Sequence, residues 1–387
     1  MVNIAASLRE VKQKRCIRAR DFVYWLCFSF IIFTKPVFNY FYLGLNPLQL
    51  FYENQVKSIS VGVAGVGRLG QLHARLYREV NDAQLAGVYD IDMARAQTLA
   101  SELGVRCFES FDELLEATDA VNIVVPTILH FELSQKALAA DKHIFIEKPI
   151  TTTVEEASAL IALAAQKQRV LQVGHIERFN AALRALDHFN LTPHFIESHR
   201  LASFDPRGTD VAVVLDLMIH DIDIILTLVK SPLTRIDANG VAVVSDEPDI
   251  ANARLQFANG CVANVTASRI SQNKMRKMRI FQRDAYVSID FLQGLTEMFR
   301  LVSPEAALNT AGFPVVLGKL DQGAHQRHIL YEKLQAPEGN ALKMELQSFV
   351  DAIRHETPPP VTGEDGRRAL EVATTITQVI KQGSVLA

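Results

Sequence analysis

The chain has 387 residues, 49% hydrophobic and 21% charged, with a formal net charge of −3. That length and composition predict an ordinary globular protein of two or three domains with a sizeable core. The charge balance, with no basic stripe interleaved with aromatics, gives no footing for nucleic acid.

Residues 1–55 differ in kind from the rest. Lys12, Lys14, Arg15, Arg18 and Arg20 precede an uncharged, aromatic-rich stretch at 22–34, and a second uncharged stretch follows Lys35 at 36–52. Thirteen residues are short of the about 20 that a membrane span requires, and no small-residue cleavage site follows. The expectation is an N-terminal extension, either poorly ordered or the product of a misplaced start, with a membrane anchor as the alternative. Four cysteines, Cys16, Cys27, Cys107 and Cys261, have neither CxxC nor paired spacing. This argues against a disulfide framework and against a zinc site, so no metal is expected, and it fits a reducing, cytoplasmic location.

From residue 58 the pattern is a nucleotide-binding βαβ unit. An apolar, β-branched strand at 58–64 runs into Gly65-Val66-Gly67-Arg68-Leu69-Gly70, which opens a helix at 71–80 and leads to a strand at 83–89 ending on Asp90. Gly65 permits the tight turn, Gly67 lets the backbone approach a pyrophosphate, and Gly70 lets helix and strand pack closely. Gly65, Gly67, Arg68, Leu69 and Gly70 therefore form the expected cradle at a helix N-terminus. Asp90, 20 residues after Gly70, is placed to accept both ribose hydroxyls of an adenosine. A 2′-phosphate would face that carboxylate, so NAD is expected over NADP. Arg95 reads as a solvated arginine on the next helix.

Strand and helix alternate onward: a helix at 93–103, a strand at 105–108, a helix at 112–117 and a continuous apolar strand at 120–125, as expected when both strand faces are buried. Pro126, Thr127 and His130 follow that strand. A helix at 131–140 and a strand at 143–146 lead to Glu147-Lys148-Pro149. Thr153-Val154-Glu155-Glu156 is a capping box opening a helix to about 167, and a strand at 170–173 ends before Gly174-His175. The pattern predicts a doubly wound parallel sheet with its ligand at the strands' carboxyl ends. Pro126, Thr127, His130, Glu147, Lys148 and His175 are accordingly candidate cofactor contacts.

Beyond Gly174 the grammar changes. A helix is expected at 177–189, a strand at 194–202, a helix at 213–229 and a strand at 236–244. Strands at 254–257 and 261–266 flank the turn Ala258-Asn259-Gly260. Alternating segments follow at 279–289 and 295–302, with terminal helices at 342–353 and 365–380. This reads as a large open mixed or antiparallel sheet covered by helices on one face. The expected division is an NAD-binding domain at 56–175 and an α/β substrate and oligomerisation domain at 176–387, with C-terminal helices packing back on the first.

Two groups carry chemistry. Lys148, between Glu147 and Pro149 at a strand end, can hydrogen-bond a substrate hydroxyl and favour its alkoxide character. Asp216 and His220, four apart in Asp216-Leu217-Met218-Ile219-His220-Asp221-Ile222-Asp223, share a helix face, where the carboxylate can orient the imidazole as general base. The helix is strongly apolar, so its four polar side chains need partners.

The glycine turn, Glu147-Lys148-Pro149 and the Asp216…His220 helix, in this order, resemble the Gfo/Idh/MocA oxidoreductases over roughly 56–387. The resemblance implies a Rossmann domain joined to a mixed-sheet domain that takes a sugar, cyclitol or similar polyol. It assigns Lys148 the substrate hydroxyl, His220 the acid/base role, and Asp216 substrate binding or support of the histidine. The stretch 173–180 and Arg207-Gly208-Thr209-Asp210 are similar to the branch that oxidises the 3-hydroxyl of UDP-N-acetylglucosamine, with Ala181 in place of an expected proline. Arg178, Asn180, Arg200 and Arg207 are then candidate contacts for the diphosphate or sugar, and a homodimer or homotetramer is implied. The alternatives are a dehydrogenase of a free sugar or inositol-type polyol, and a non-catalytic NAD-binding sensor.

Overall fold

In the computed structural model the described residues are 58–205, 211–308, 315–322, 325–335 and 339–384. The expectations for residues 1–55 and for Arg207 lie outside them.

The first half is the expected alternation. The chain runs β1 (Ile59–Ala64), α1 (Arg68–Leu76), β2 (Ala83–Tyr89), α2 (Met93–Leu103), β3 (Arg106–Cys107), α3 (Phe111–Glu116), β4 (Ala120–Ile123), α4 (His130–Ala139), β5 (His143–Glu147), α5 (Val154–Lys167) and β6 (Leu171–Gly174). The caps are those the sequence writes. Asp92 accepts from the Arg95 N–H at the start of α2, and Thr153 with Glu156 forms the full capping box of α5. The six strands are parallel in the order β3-β2-β1-β4-β5-β6. All four residues of β4 are buried, as a central strand covered on both faces requires.

After Gly174 the helix expected at 177–189 is broken. Asn180 is extended (ψ 132°), and its side chain accepts the Ala182 N–H, so it stops one turn and caps a short helix, Ala181–Arg184. Then come β7 (Phe195–Leu201), α6 (Ile219–Val229), β8 (Leu233–Val241), β9 (Ile250–Phe257), β10 (Val262–Ser268), β11 (Met275–Phe281), β12 (Ala285–Asp290), β13 (Leu295–Val302), β14 (Val315–Gln322), β15 (His325–Leu334), α7 (Ala341–His355) and α8 (Gly363–Ser384). The last two strands carried no clear signal in the sequence. The second sheet has the order β14-β15-β13-β12-β11-β7-β10-β9-β8 and is antiparallel except for the β7–β10 pair. On β7, Ile196, Ser198 and Arg200 are buried while their neighbours are partly exposed, the alternation of a sheet covered on one face. A row of facing rings, Phe195, Phe281, Tyr286, Phe299 and Tyr331, crosses that sheet with centroids 4.9–5.7 Å apart.

The terminal helices tie the two sheets together. Leu342, Leu346, Phe349 and Val350 of α7 join the core under the parallel sheet, with Val61, Val63, Tyr77 and Phe145. Each such side chain contributes about 1.5–3 kcal/mol by burial. Ala369 and Leu370 of α8 divide between the core of the second sheet and that of the first. Among the described residues no helix is long and apolar enough to cross a membrane.

Candidate active site

The parallel sheet reverses its winding between β1 and β4, so the crevice outside their carboxyl ends is the expected ligand site. A cleft of about 550 Å³ opens there, lined in part by Gly65, Gly67, Arg68, Leu69, Asp90, Arg95, Pro126, Glu147 and Lys148. Gly65 has φ +88°, and a Cβ on it would run into the Val124 carbonyl; one on Gly70 would strike the carbonyl of Gly65. Around Gly67 no atom lies within 4 Å of a Cβ position, so its backbone is open to a close approach. Gly67 caps α1 without a side-chain hydrogen bond, and the first turn carries no acidic residue, so no side chain competes with an anion for the helix end. The buried Asp90 carboxylate accepts the Val66 N–H at 2.6 Å and the Asp92 N–H at 2.9 Å, fastening the glycine turn to the end of β2. These features fit the pyrophosphate and adenosine ribose of a dinucleotide. Arg95 is exposed on its helix, as expected, and also reaches the site. It lines the cleft, pairs with Asp92 at 2.8 Å and stands 3.8 Å from Asp90.

Other cofactor candidates fall behind the cleft rather than on it. Thr127 opens a single 3₁₀ turn, Thr127–Leu129, of which Leu129 but not Thr127 lines the cleft. His130 is buried, with Nδ1 2.9 Å from the Pro149 carbonyl and Nε2 2.9 Å from that of Val125. It clasps the ends of β4 and β5 together, which corrects the reading of it as a cofactor contact. Burial lowers its pKa against the opposing pull of the backbone carbonyls and Glu147. His175 is buried with neither ring nitrogen hydrogen-bonded, and burial, helped by the cations Arg178 and Lys148, lowers its pKa against the opposing pull of Asp223 and Glu147.

Lys148 does reach the cleft. Its side chain is 18% exposed, and Nζ donates to the Asp216 carbonyl at 2.7 Å with the Asp216 carboxylate 3.6 Å away. Burial lowers the ammonium's pKa against the opposing pull of Asp216 and Glu147. The Lys148–Pro149 peptide is cis. Asp216 lies in a π-helical turn, Val214–Met218, that precedes α6. The wider turn changes the four-residue spacing assumed from sequence. The carboxylate consequently sits by Lys148, not by the imidazole, and His220 Nδ1 is buried without a hydrogen bond. This corrects Asp216 as the support of His220. Burial, followed by the positive charges of Lys148 and Arg200 and by the neighbouring His175 and Arg276, drives the His220 pKa far below the usual imidazole range. The site thus holds a partly buried lysine ammonium and a neutral imidazole in mutual electrostatic reach beside the dinucleotide cleft.

A polar chain that the sequence did not reveal lies beneath. Tyr77 donates to Asn122 Oδ1 at 2.7 Å, and Asn122 Nδ2 stands 3.0 Å from His73 Nδ1. His73 Nε2 is 3.2 Å from Glu147 Oε1, off the line of a hydrogen bond. Glu147 Oε2 accepts its neighbour's Lys148 N–H at 3.2 Å. Gly174 stands opposite, where a Cβ would come within 2.8 Å of the Glu147 carboxylate and displace it. Glu345 of α7 sends a fully buried carboxyl, with no hydrogen bond, into the same region. Burial, then Glu147 and Asp223, raises its pKa well above the ordinary value. The folded state therefore holds this proton more tightly than the unfolded chain. Stability is lost as pH rises from about 4.3, the ordinary glutamate value, toward the folded pKa. Glu345→Gln should accordingly stabilise the protein by roughly 1–3 kcal/mol at pH 8 and by less at pH 5, read as urea midpoints. Equal shifts at the two pH values would contradict this.

Three of the candidates for substrate contact are held by partners within the protein. Arg200, 3% exposed, sends Nε and Nη2 to the two oxygens of Asp221 at 2.8 and 3.0 Å and Nη1 to Glu177 at 2.8 Å. Arg178 grips Asp223 with Nε at 2.7 Å and Nη2 at 2.5 Å and donates to the Pro360 carbonyl. Asn180 donates to Glu177 and the Phe291 carbonyl besides capping Ala182. These side chains are engaged in the scaffold, and the acids of α6 find in Arg200 and Arg178 the partners their burial requires.

Known proteins resemble this chain over most of its length. Residues 59–175 match a family described as "Oxidoreductase family, NAD-binding Rossmann fold", and residues 174–287 match the "GFO/IDH/MocA C-terminal domain". The chain is 39% identical over 316 residues to the UDP-N-acetylglucosamine 3-dehydrogenase of Acidithiobacillus ferrooxidans, covering 81% of this chain and 95% of that protein. A solved structure of the enzyme of that name from the same organism matches with a TM-score of 0.74 at 37% identity, covering 84% of this chain and 98% of the other. The myo-inositol 2-dehydrogenase of Thermotoga maritima is 27% identical over 331 residues, covering 80% and 92%.

Proposed function

The chain belongs to the Gfo/Idh/MocA family of NAD-binding oxidoreductases, and from that premise we propose that it oxidises the 3-hydroxyl of UDP-N-acetylglucosamine to the 3-keto sugar. The observation that carries the substrate is the 39% identity to an enzyme of that activity, 95% of whose length is matched. The geometry carries the reaction type, since Lys148 and the neutral His220 lie together beside the glycine-turn cleft.

Gly65, Gly67, Arg68, Leu69, Gly70 and Asp90 would hold the dinucleotide, with Pro126, Glu147 and Lys148 along the rest of the cleft. Bound NAD supplies the acceptor for the hydride leaving the substrate carbon, which leaves the protein to handle the hydroxyl proton. Lys148, anchored on the Asp216 carbonyl, presents N–H donors that steady the hydroxyl oxygen as negative charge grows on it. His220 is neutral, so Nε2, on the ring edge away from the buried Nδ1, can accept the proton. The acid limb of kcat/KM should then fall below about 6.5, the ordinary imidazole value. His220→Asn should lower kcat by about two orders of magnitude or more. An acid limb at or above the imidazole value, or near-normal turnover of the variant, would remove His220 from this role.

The carbon oxidised is tested by isotope: substrate deuterated at C3 should turn over more slowly than substrate deuterated at C4. The reverse order would place the reaction elsewhere on the sugar. A second reading, oxidation of an inositol-type polyol, is supported by the likeness to myo-inositol 2-dehydrogenase. We place the enzyme with the cytoplasmic NAD pool, as a homodimer or homotetramer. Its NAD-binding part would be residues 56–175 and its substrate part residues 176–387, closed by α7 and α8.

A further inference from the structure

If the substrate is a sugar nucleotide, some cation has to meet its diphosphate. Arg200 and Arg178 are committed to buried carboxylates, as described above. Arg276 differs from both. It stands on β11 directly opposite Arg200 on β7, and its backbone is fixed on the other side by the Phe291 N–H, which donates to its carbonyl at 2.9 Å. Met278 and Ile280, two and four residues on, are fully buried, so Arg276 shares the covered face of the sheet with Arg200 and not the outer face. Its side chain is nevertheless 46% exposed. That combination places it at the end of the sheet where the covered face opens.

Its partnership is also weak. Among the described residues Arg276 holds Glu177 through one nitrogen at 3.3 Å, on the same Oε1 that Arg200 takes at 2.8 Å. A shared, long, exposed pair of this kind contributes little, and it leaves most of the donor fork of the guanidinium directed elsewhere. The positive charge of Arg276 also acts on His220, so the group lies within electrostatic range of the ring proposed to take the proton. A fixed backbone, an uncommitted planar fork and proximity to that imidazole are what recognition of a phosphate near the reacting sugar requires.

We propose that Arg276 is the specificity-determining residue of the site, pairing bidentately with the diphosphate of the sugar nucleotide, with Glu177 holding the guanidinium ready from behind. This rests on the sugar-nucleotide reading above. It also separates the two substrate classes in the family's relatives, because an inositol offers Arg276 no anion.

The test is direct binding of UDP to the full chain in the presence of NAD, by calorimetry, in the wild type, Arg276→Gln and Arg276→Lys. The expected result is a loss of UDP affinity of about tenfold or more in Arg276→Gln, partial recovery in Arg276→Lys, and unchanged NAD affinity. The KM for UDP-N-acetylglucosamine should rise in parallel, with kcat changing far less. UDP binding equally to wild type and Arg276→Gln would overturn the proposal, while wild-type turnover of UDP-N-acetylglucosamine would show that the functional reading survives without it. UDP binding to neither, with no turnover of UDP-N-acetylglucosamine by the wild type, would overturn both. A variant that loses NAD affinity together with UDP affinity would mark Arg276 as a structural residue and overturn its role in specificity.

Discussion

Replacing Lys148 with alanine should lower kcat on the sugar nucleotide by about two to four orders of magnitude and leave NAD affinity largely intact. The asymmetry follows from where the lysine sits. Its backbone lies at the end of β5, but its ammonium reaches across to the carbonyl of Asp216 in the π-helical turn. The turn of Gly65, Gly67 and Gly70 and the carboxylate of Asp90 lie on other elements and do not depend on it. Truncation also strips the Asp216 carbonyl of its donor, so part of the loss could be structural. Lys148→Met answers this by keeping the stem and removing the charge. If the ammonium is the active group, Lys148→Met should be as slow as Lys148→Ala. Recovery of turnover in Lys148→Met would mean that packing, not charge, is what the site needs.

The second large effect is on stability. Arg200→Met should destabilise the fold by about 3–5 kcal/mol, a large part of the whole stability of an ordinary protein. Two nearly inaccessible carboxylates, Asp221 and Glu177, would lose their partner. The positive charge of Arg276 does not substitute, because it reaches Glu177 from an exposed position and does not touch Asp221. Urea unfolding of the variant measures this. An unchanged midpoint together with a raised KM for the sugar nucleotide would return Arg200 to the substrate.

The dinucleotide half was the most legible part of the sequence, because its chemistry is local. Gly65, Gly67 and Gly70 lie within six residues, and both the strand before them and the capping box of α5 are written in neighbouring residues. Lys148 was legible for the same reason, as a charge at the end of an apolar strand. What failed was pairing over distance. Arg178, Asn180 and Arg200 read as available cations and amides, yet their partners Asp223, Phe291 and Asp221 are supplied by other elements. Asp216 and His220 were placed on one face by assuming an α-helical spacing that the π-turn does not keep. Glu345 gave no signal at all: it sits on a terminal helix, and only the packing of α7 under the parallel sheet brings it near Glu147. His73, three residues past Gly70, could have been noticed as a polar residue on the helix face that packs inward.

Oxidation of a sugar nucleotide is measured most directly through the product itself. The full chain would be incubated with NAD and, in parallel, with UDP-N-acetylglucosamine and with myo-inositol. NADH absorbance and the mass of each product are then recorded. The account predicts NADH formed together with a UDP-sugar lighter by two hydrogens, and neither in Lys148→Ala. NADH from myo-inositol with none from UDP-N-acetylglucosamine would contradict it.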